Sequence, residues 1–168
     1  TIMLISSWYF TDLVTHQAFI SDIAYLDFEV RLLAHLQDWG HEIIYKPHPL
    51  LVTRPPADFA ARFGGREESR PSEQVIYDAD VLILPDPSST AFATSLASGI
   101  PAVFIDFGLF VHTNAALTAL KKRCAIIRAP CGSDQRVSID WNALRYAITD
   151  APSPGSGDYI RLFHRHVG

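Results

Sequence analysis

Two short stretches carry the residue types best suited to chemistry. One is Lys46-Pro47-His48-Pro49. The other is Ser88-Ser89-Thr90, which follows Pro85-Asp86-Pro87. Proline on both sides of His48 stiffens the backbone, so the imidazole is presented with little freedom. A histidine N–H can donate to a phosphate oxygen, and Lys46 adds positive charge nearby. In the second stretch the prolines hold the chain extended ahead of a turn. The three hydroxyls then fall at the cap and first turn of a helix. Unpaired amide N–H groups and the positive end of the helix dipole gather there, which suits a phosphate. Each stretch also has a plainer use: a loop histidine bonded to a carbonyl, and Ser or Thr as an ordinary N-cap.

What must position these residues is a set of short apolar runs. They are Ile2-Met3-Leu4-Ile5, Glu42-Ile43-Ile44-Tyr45, Val81-Leu82-Ile83-Leu84, Ala102-Val103-Phe104-Ile105 and Ala125-Ile126-Ile127. They are near-continuous rather than alternating, as strands are when helices cover both faces of a parallel sheet. Helical patterns lie between them. Ile23 to Trp39 has apolar residues close to helical spacing and is stopped by Gly40. Shorter helices are expected over 57–63, 72–77, 90–97, 115–120 and 139–148. Lys121-Lys122-Arg123 suits a helix C-terminus, and Asp140 suits a helix start. Gly132 to Val137 reads as a loop. The alternation predicts an α/β fold, a Rossmann-like doubly wound parallel sheet. The expected organisation is a single domain over 1–168, with a Pro/Gly/Ser-rich linker at 151–158 and a terminal helix at 159–168.

In such a sheet, ligands bind beyond the carboxyl ends of the strands. That rule adds Ser6 and Ser7 after the first strand, and Asp106 after the fourth run. Asp106 could meet a sugar hydroxyl or simply turn the chain near Gly108. His112 precedes a helix whose default caps are Thr113 or Asn114, and it could still face a ligand. Asp12 and His16, in the long loop after the first strand, are candidates for a catalytic or acceptor-contacting role, and no other residue is singled out as catalytic.

Composition narrows the classes. The chain has 168 residues, 48% of them hydrophobic, and a formal charge of −4. The charge gives no reason to expect nucleic acid as a partner. No apolar run reaches the ~18 residues that span a bilayer. Cys124 and Cys131 make no disulfide framework, and Cys124 reads as a small buried hydrophobe. A reducing, cytoplasmic setting is expected. The start at Thr1, directly in a strand-like run, suggests a fragment of a longer chain. A G-x-G-x-x-G after the first strand, a phosphate-binding G-x-x-x-x-G-K-[ST], a G-x-S-x-G elbow, C-x-x-C and H-E-x-x-H are all missing. His164 and His166 read as solvated surface.

The pairing of Lys46-Pro47-His48-Pro49 with the segment from Asp78 to Asp106, DADVLILPDPSSTAFATSLASGIPAVFID, resembles a known family. It is similar to the C-terminal, donor-binding half of GT-B glycosyltransferases, within them the capsule and surface-polysaccharide group. That group includes bacterial polysialyltransferases, capsule Kdo transferases and CDP-glycerol polymerases. Its "HP" motif matches His48-Pro49, and its "S-S/T" motif matches Ser88-Ser89-Thr90. Gly99-Ile100-Pro101 looks like the "G-x-P" that leads into the next strand.

The resemblance implies that His48 and the hydroxyls bind the phosphate of a CMP- or CDP-linked donor. It implies a nucleotide-sugar donor and a glycan acceptor as partners. It implies no cofactor and no metal, and work in the cytoplasm, peripheral to the inner face of the membrane. GT-B enzymes have two Rossmann-like halves, and this chain has room for one. The expected completion is a missing N-terminal domain or a membrane-proximal partner. Two other readings stay open: a non-catalytic nucleotide-binding module, and half of a sugar-nucleotide epimerase.

Overall fold

The computed structural model describes residues 1–7, 20–48 and 58–150. The five apolar runs are strands: β1 (Ile2–Ile5), β2 (Ile43–Lys46), β4 (Val81–Leu84), β5 (Ala102–Asp106) and β6 (Ala125–Arg128). A sixth, β3 (Arg66–Glu67), lies on the edge beside β2. Every pairing is parallel, and the order is β3-β2-β1-β4-β5-β6. Ile2 pairs with Ile43 on one side and with Val81 on the other. The chain therefore winds outward in both directions from β1 and β4. The connections leaving these two strands diverge, which opens a crevice above their carboxyl ends.

Helices cover both faces: α1 (Asp22–Asp38), α2 (Ser72–Val75), α3 (Thr90–Ser98), α4 (Asn114–Arg123) and α5 (Trp141–Thr149). Strand side chains alternate between two cores. Leu4, Tyr45, Ile83 and Val103 meet Phe28, Leu32 and Leu36 of α1 and Leu144 of α5. Met3, Ile44, Leu82 and Phe104 meet Val75 of α2, Phe92 and Leu96 of α3 and Leu120 of α4. Two buried faces on one sheet explain why the strand sequences read as unbroken apolar runs.

Four helices begin at side-chain N-caps. The hydroxyl or carboxylate of Ser21, Ser89, Thr113 and Asp140 accepts the amide three residues on, at 3.3, 3.1, 3.2 and 2.9 Å. Gly99, at φ +81°, ends α3 in a conformation that costs glycine nothing.

The short turn of helix expected over 72–77 is α2, followed by a 3₁₀ turn at Ile76–Asp78. Two expectations need correction. The helix expected over 57–63 is, within the described residues, one 3₁₀ turn at Ala61–Phe63, closed by Gly64 at φ +68°. So short a segment cannot repay the cost of nucleating an α-helix. Arg123 was expected to complement its own helix end, yet its residue surface is only 3% exposed. Its guanidinium donates instead to Leu96 O (2.7 Å), Ser95 O (3.2 Å) and Ile100 O (2.9 Å), the carbonyls at and just beyond the end of α3. The linker at 151–158 and terminal helix at 159–168 lie outside the described residues. So do Asp12, His16, His164 and His166.

Cys124 is buried between α4 and β6, and burial pushes its thiol up to about 12. It therefore behaves as the hydrophobe its sequence position suggested. Among the described residues, no helix is long and apolar enough to cross a membrane.

Candidate functional site

Three strand ends meet at the crevice. After β1, Ser6 is buried and its amide donates to Lys46 O (2.9 Å), which carries the β1–β2 pairing one step further. The Ser7 amide donates to the Tyr25 hydroxyl (3.0 Å), and the Ser7 hydroxyl donates to Asp86 Oδ2 (3.3 Å). Beneath this turn lie two buried tyrosines and a fully buried carboxylate. Tyr45 donates to Glu29 Oε2 (3.0 Å). Burial, and then the charge of Glu29, push the Tyr25 phenol well above its ordinary range. Tyr25 thus stays protonated and fixes the path of the chain at Ser7.

After β2, Lys46 is only 5% exposed, and its ammonium donates to Pro47 O (3.3 Å). A charge taken so far out of water is costly unless something anionic or strongly polar meets it. His48 follows, half-buried. Burial lowers its pKa most; the Asp86 carboxylate raises it and Lys46 lowers it further. Near neutral pH the imidazole is therefore mostly uncharged, and it offers a hydrogen-bond donor rather than a full charge.

After β4, Asp86 shapes the approach to α3. Its Oδ1 accepts from the Ser88 amide (2.8 Å) and the Ser88 hydroxyl (2.6 Å). The Ser89 hydroxyl donates to Asp86 O (3.1 Å) and accepts from the Phe92 amide (3.1 Å). Ser89 is thus a working N-cap. What remains at the start of α3 are first-turn amides without an intrahelical acceptor, those of Thr90 and Ala91.

Lys46, His48, Ser6, Ser89 and Thr90 line one cavity of about 270 Å³. Its opposite wall is the segment after β3, with Ser69, Pro71, Ser72 and Glu73. The arrangement pairs a buried ammonium, an imidazole donor and a helix start on one side with a carboxylate and two hydroxyls on the other. Such a cavity can accept an anionic oxygen group with a hydroxylated neighbour.

The structure does not bring every sequence candidate here. Ser88 is exposed and spent on Asp86. Ser7 is held by Asp86 and does not line the cavity. Asp106 turns the chain, accepting from the Gly108 amide (2.8 Å), and pairs with Arg128 at 3.6 Å. His112 sits edge-on to Phe104, with ring centroids 6.1 Å apart, also outside the cavity. Asp78-Ala79-Asp80, which is not among the sequence candidates, has the spacing of a D-x-D pair, but it precedes β4 at the far end of the sheet, and Asp78 is paired with Arg70 at 3.1 Å.

Sequence reasoning missed Asp86 as an organiser and the whole wall from Ser69 to Glu73. For Asp86 a signal existed: Asp two residues before Ser in a Pro-rich turn favours a side-chain-to-backbone bond. For the wall there was none, since β3 is two exposed polar residues. It pairs with β2 because Gly65 packs close enough that a Cβ would lie 2.9 Å from Ile43 Cβ.

That wall is held by a carboxylate clamp. Glu68 Oε1 accepts from Arg70 N (2.9 Å) and Nε (3.0 Å), and Oε2 from Arg70 Nη2 (2.7 Å) and Arg66 Nη1 (3.3 Å). Bonds from Arg70 pull the Glu68 carboxyl from 4.5 down to about 2. A folded value below the unfolded one means the clamp stabilises above about pH 4.5 and is lost as pH falls through about 2. Glu68→Gln is expected to cost about 1–2 kcal/mol at neutral pH, since water screens both half-exposed arginines. The difference from the parent chain in urea unfolding should narrow as pH falls below about 4.5 and close only near pH 2. A gap that stays constant down to the acid limit would rule the clamp out.

No protein-family model matches the chain, and no curated protein matches it.

Proposed function

We propose that this chain is the donor-binding half of a nucleotide-sugar-dependent glycosyltransferase of the GT-B kind, acting in bacterial capsule or surface polysaccharide synthesis. What carries the reading is the convergence of Lys46, His48 and the first turn of α3 on a single cavity at the point where the sheet's winding reverses. Two motifs about forty positions apart in the chain have the order and strand-end setting of the family they resemble.

In this reading the donor phosphate lies against the Thr90 and Ala91 amides. His48 donates to one phosphate oxygen, and Lys46 supplies charge from below. As the bond between sugar and phosphate breaks, negative charge grows on the departing nucleotide. Fixed donors already aimed at that charge favour the transition state over the bound substrate. The hydroxyls and carboxylate of the Ser69–Glu73 wall face the hydroxylated part of the donor. A cavity of about 270 Å³ is small for a whole nucleotide-sugar. The rest of the donor lies along the open crevice, where a second domain or a partner chain supplies the acceptor site.

Calorimetric titration with CMP, CDP, UDP and cytidine tests the reading. Cytosine nucleotides are expected to bind, and cytidine, which lacks the phosphate, to bind at least tenfold more weakly, the loss typical of a charged hydrogen bond. Equal binding of cytidine and CMP, or none of either, would refute it. With the completing domain and a glycan acceptor added, transfer of sugar to acceptor distinguishes a transferase from an epimerase or a binding module.

A further inference from the structure

Asp86 stands two residues beyond the end of β4 and reaches across the crevice. It is the acceptor for four hydrogen bonds: from the Ser7 hydroxyl (3.3 Å), the Ser88 amide (2.8 Å), the Ser88 hydroxyl (2.6 Å) and, at its own carbonyl, the Ser89 hydroxyl (3.1 Å). A simple turn needs only the Ser88 amide. The bond to Ser7, 79 positions away in the chain, is not something a turn requires. It joins the exit of β1 to the start of α3, and Ser7 is itself held by Tyr25.

A carboxylate so close to a phosphate site repels the ligand, so its presence needs a compensating use. The groups around His48 suggest what that is. Lys46, from the end of β2, opposes a charge on the imidazole, Asp86 favours one, and Glu73 lines the far side of the same cavity. Resting on the phosphate-binding reading above, we propose that Asp86 is the positioning residue of this site. Its carboxylate clamps the β1 exit to the α3 start, so that the Thr90 and Ala91 amides and His48 form one receptor with a negative charge set against the imidazole.

Two substitutions separate this from an ordinary turn. Asp86→Ala removes both clamp and charge. Asp86→Asn keeps an acceptor for Ser88 and a polar partner for Ser7 but removes the charge. CMP binding by the full chain is measured between pH 6 and 8.5, and the His48 imidazole of the ligand-free protein is titrated by NMR. Asp86→Ala is expected to weaken CMP binding at pH 7 by about tenfold or more. Asp86→Asn should recover most of that loss. Its His48 should nevertheless titrate at lower pH than in the parent chain, and the pH below which CMP binds more tightly should move down with it.

Full recovery in Asp86→Asn with an unmoved His48 titration would reduce Asp86 to a turn residue and overturn the proposal. Unchanged affinity in Asp86→Ala would do the same. If the parent chain fails to bind CMP, the functional reading fails instead, while the ligand-free His48 titration still decides whether Asp86 acts on the imidazole.

Discussion

Arg123→Met is expected to destabilise the fold by about 3 kcal/mol in urea unfolding at neutral pH. Methionine replaces most of the apolar stem, so little packing is lost. What is lost is the guanidinium fork, which donates to Leu96 O, Ser95 O and Ile100 O. Carbonyls at a helix end have no backbone partner within the helix, although Ser95 O also accepts from the Ser98 hydroxyl (2.7 Å), and all three lie where water does not easily replace an arginine only 3% exposed. Each charge-assisted bond contributes ~1.5–3 kcal/mol when measured singly. The sum is smaller, because burying the charge is itself costly and Nη1 has no partner among the described residues. Arg123 couples the end of α4 to the end of α3, and the other end of α3 forms part of the cavity. A loss below about 1 kcal/mol would show that α3 is seated by Phe92 and Leu96 alone.

His48→Ala is expected to weaken CMP binding by ~1.5–3 kcal/mol, about ten- to a hundredfold, with stability little changed. The pH dependence is the sharper test. Burial holds the ligand-free His48 pKa below its ordinary value, and a bound phosphate raises it. Binding therefore takes up a proton. Affinity should rise as pH falls through the titration of ligand-bound His48, then level off once His48 is protonated without ligand. The phosphate of CMP also titrates near this range. Comparing the parent chain with His48→Ala cancels that shared contribution. Parallel pH profiles for the two proteins would remove His48 from the phosphate.

The sheet was legible because its strands are buried on both faces. Ile2–Ile5 and Val81–Leu84 begin and end where their apolar runs do, with the turn chemistry of Pro85 and Gly40 as punctuation. The strand ends then indicated where to look, and Lys46, His48, Ser89 and Thr90 do line one cavity. What sequence could not show was set by contacts distant in the chain. Ser88 looked like a ligand group and is consumed by Asp86, two residues before it. Arg123 looked like a helix-end charge and serves a different helix. The Ser69–Glu73 wall depends on β3, a pair of exposed polar residues held by the close approach of Gly65 to Ile43. No periodicity marks so short an edge strand.

One measurement bears most directly on the claim that His48 and the start of α3 form a single phosphate receptor. It is an NMR titration of the parent chain with CMP and, separately, with cytidine, followed at the His48 imidazole and at the Ser89, Thr90 and Ala91 amides. The expected result is that CMP moves the imidazole and the amides together, along one binding curve, and that cytidine moves neither. Shifts confined to one of the two groups, or a response to cytidine equal to that for CMP, would contradict it.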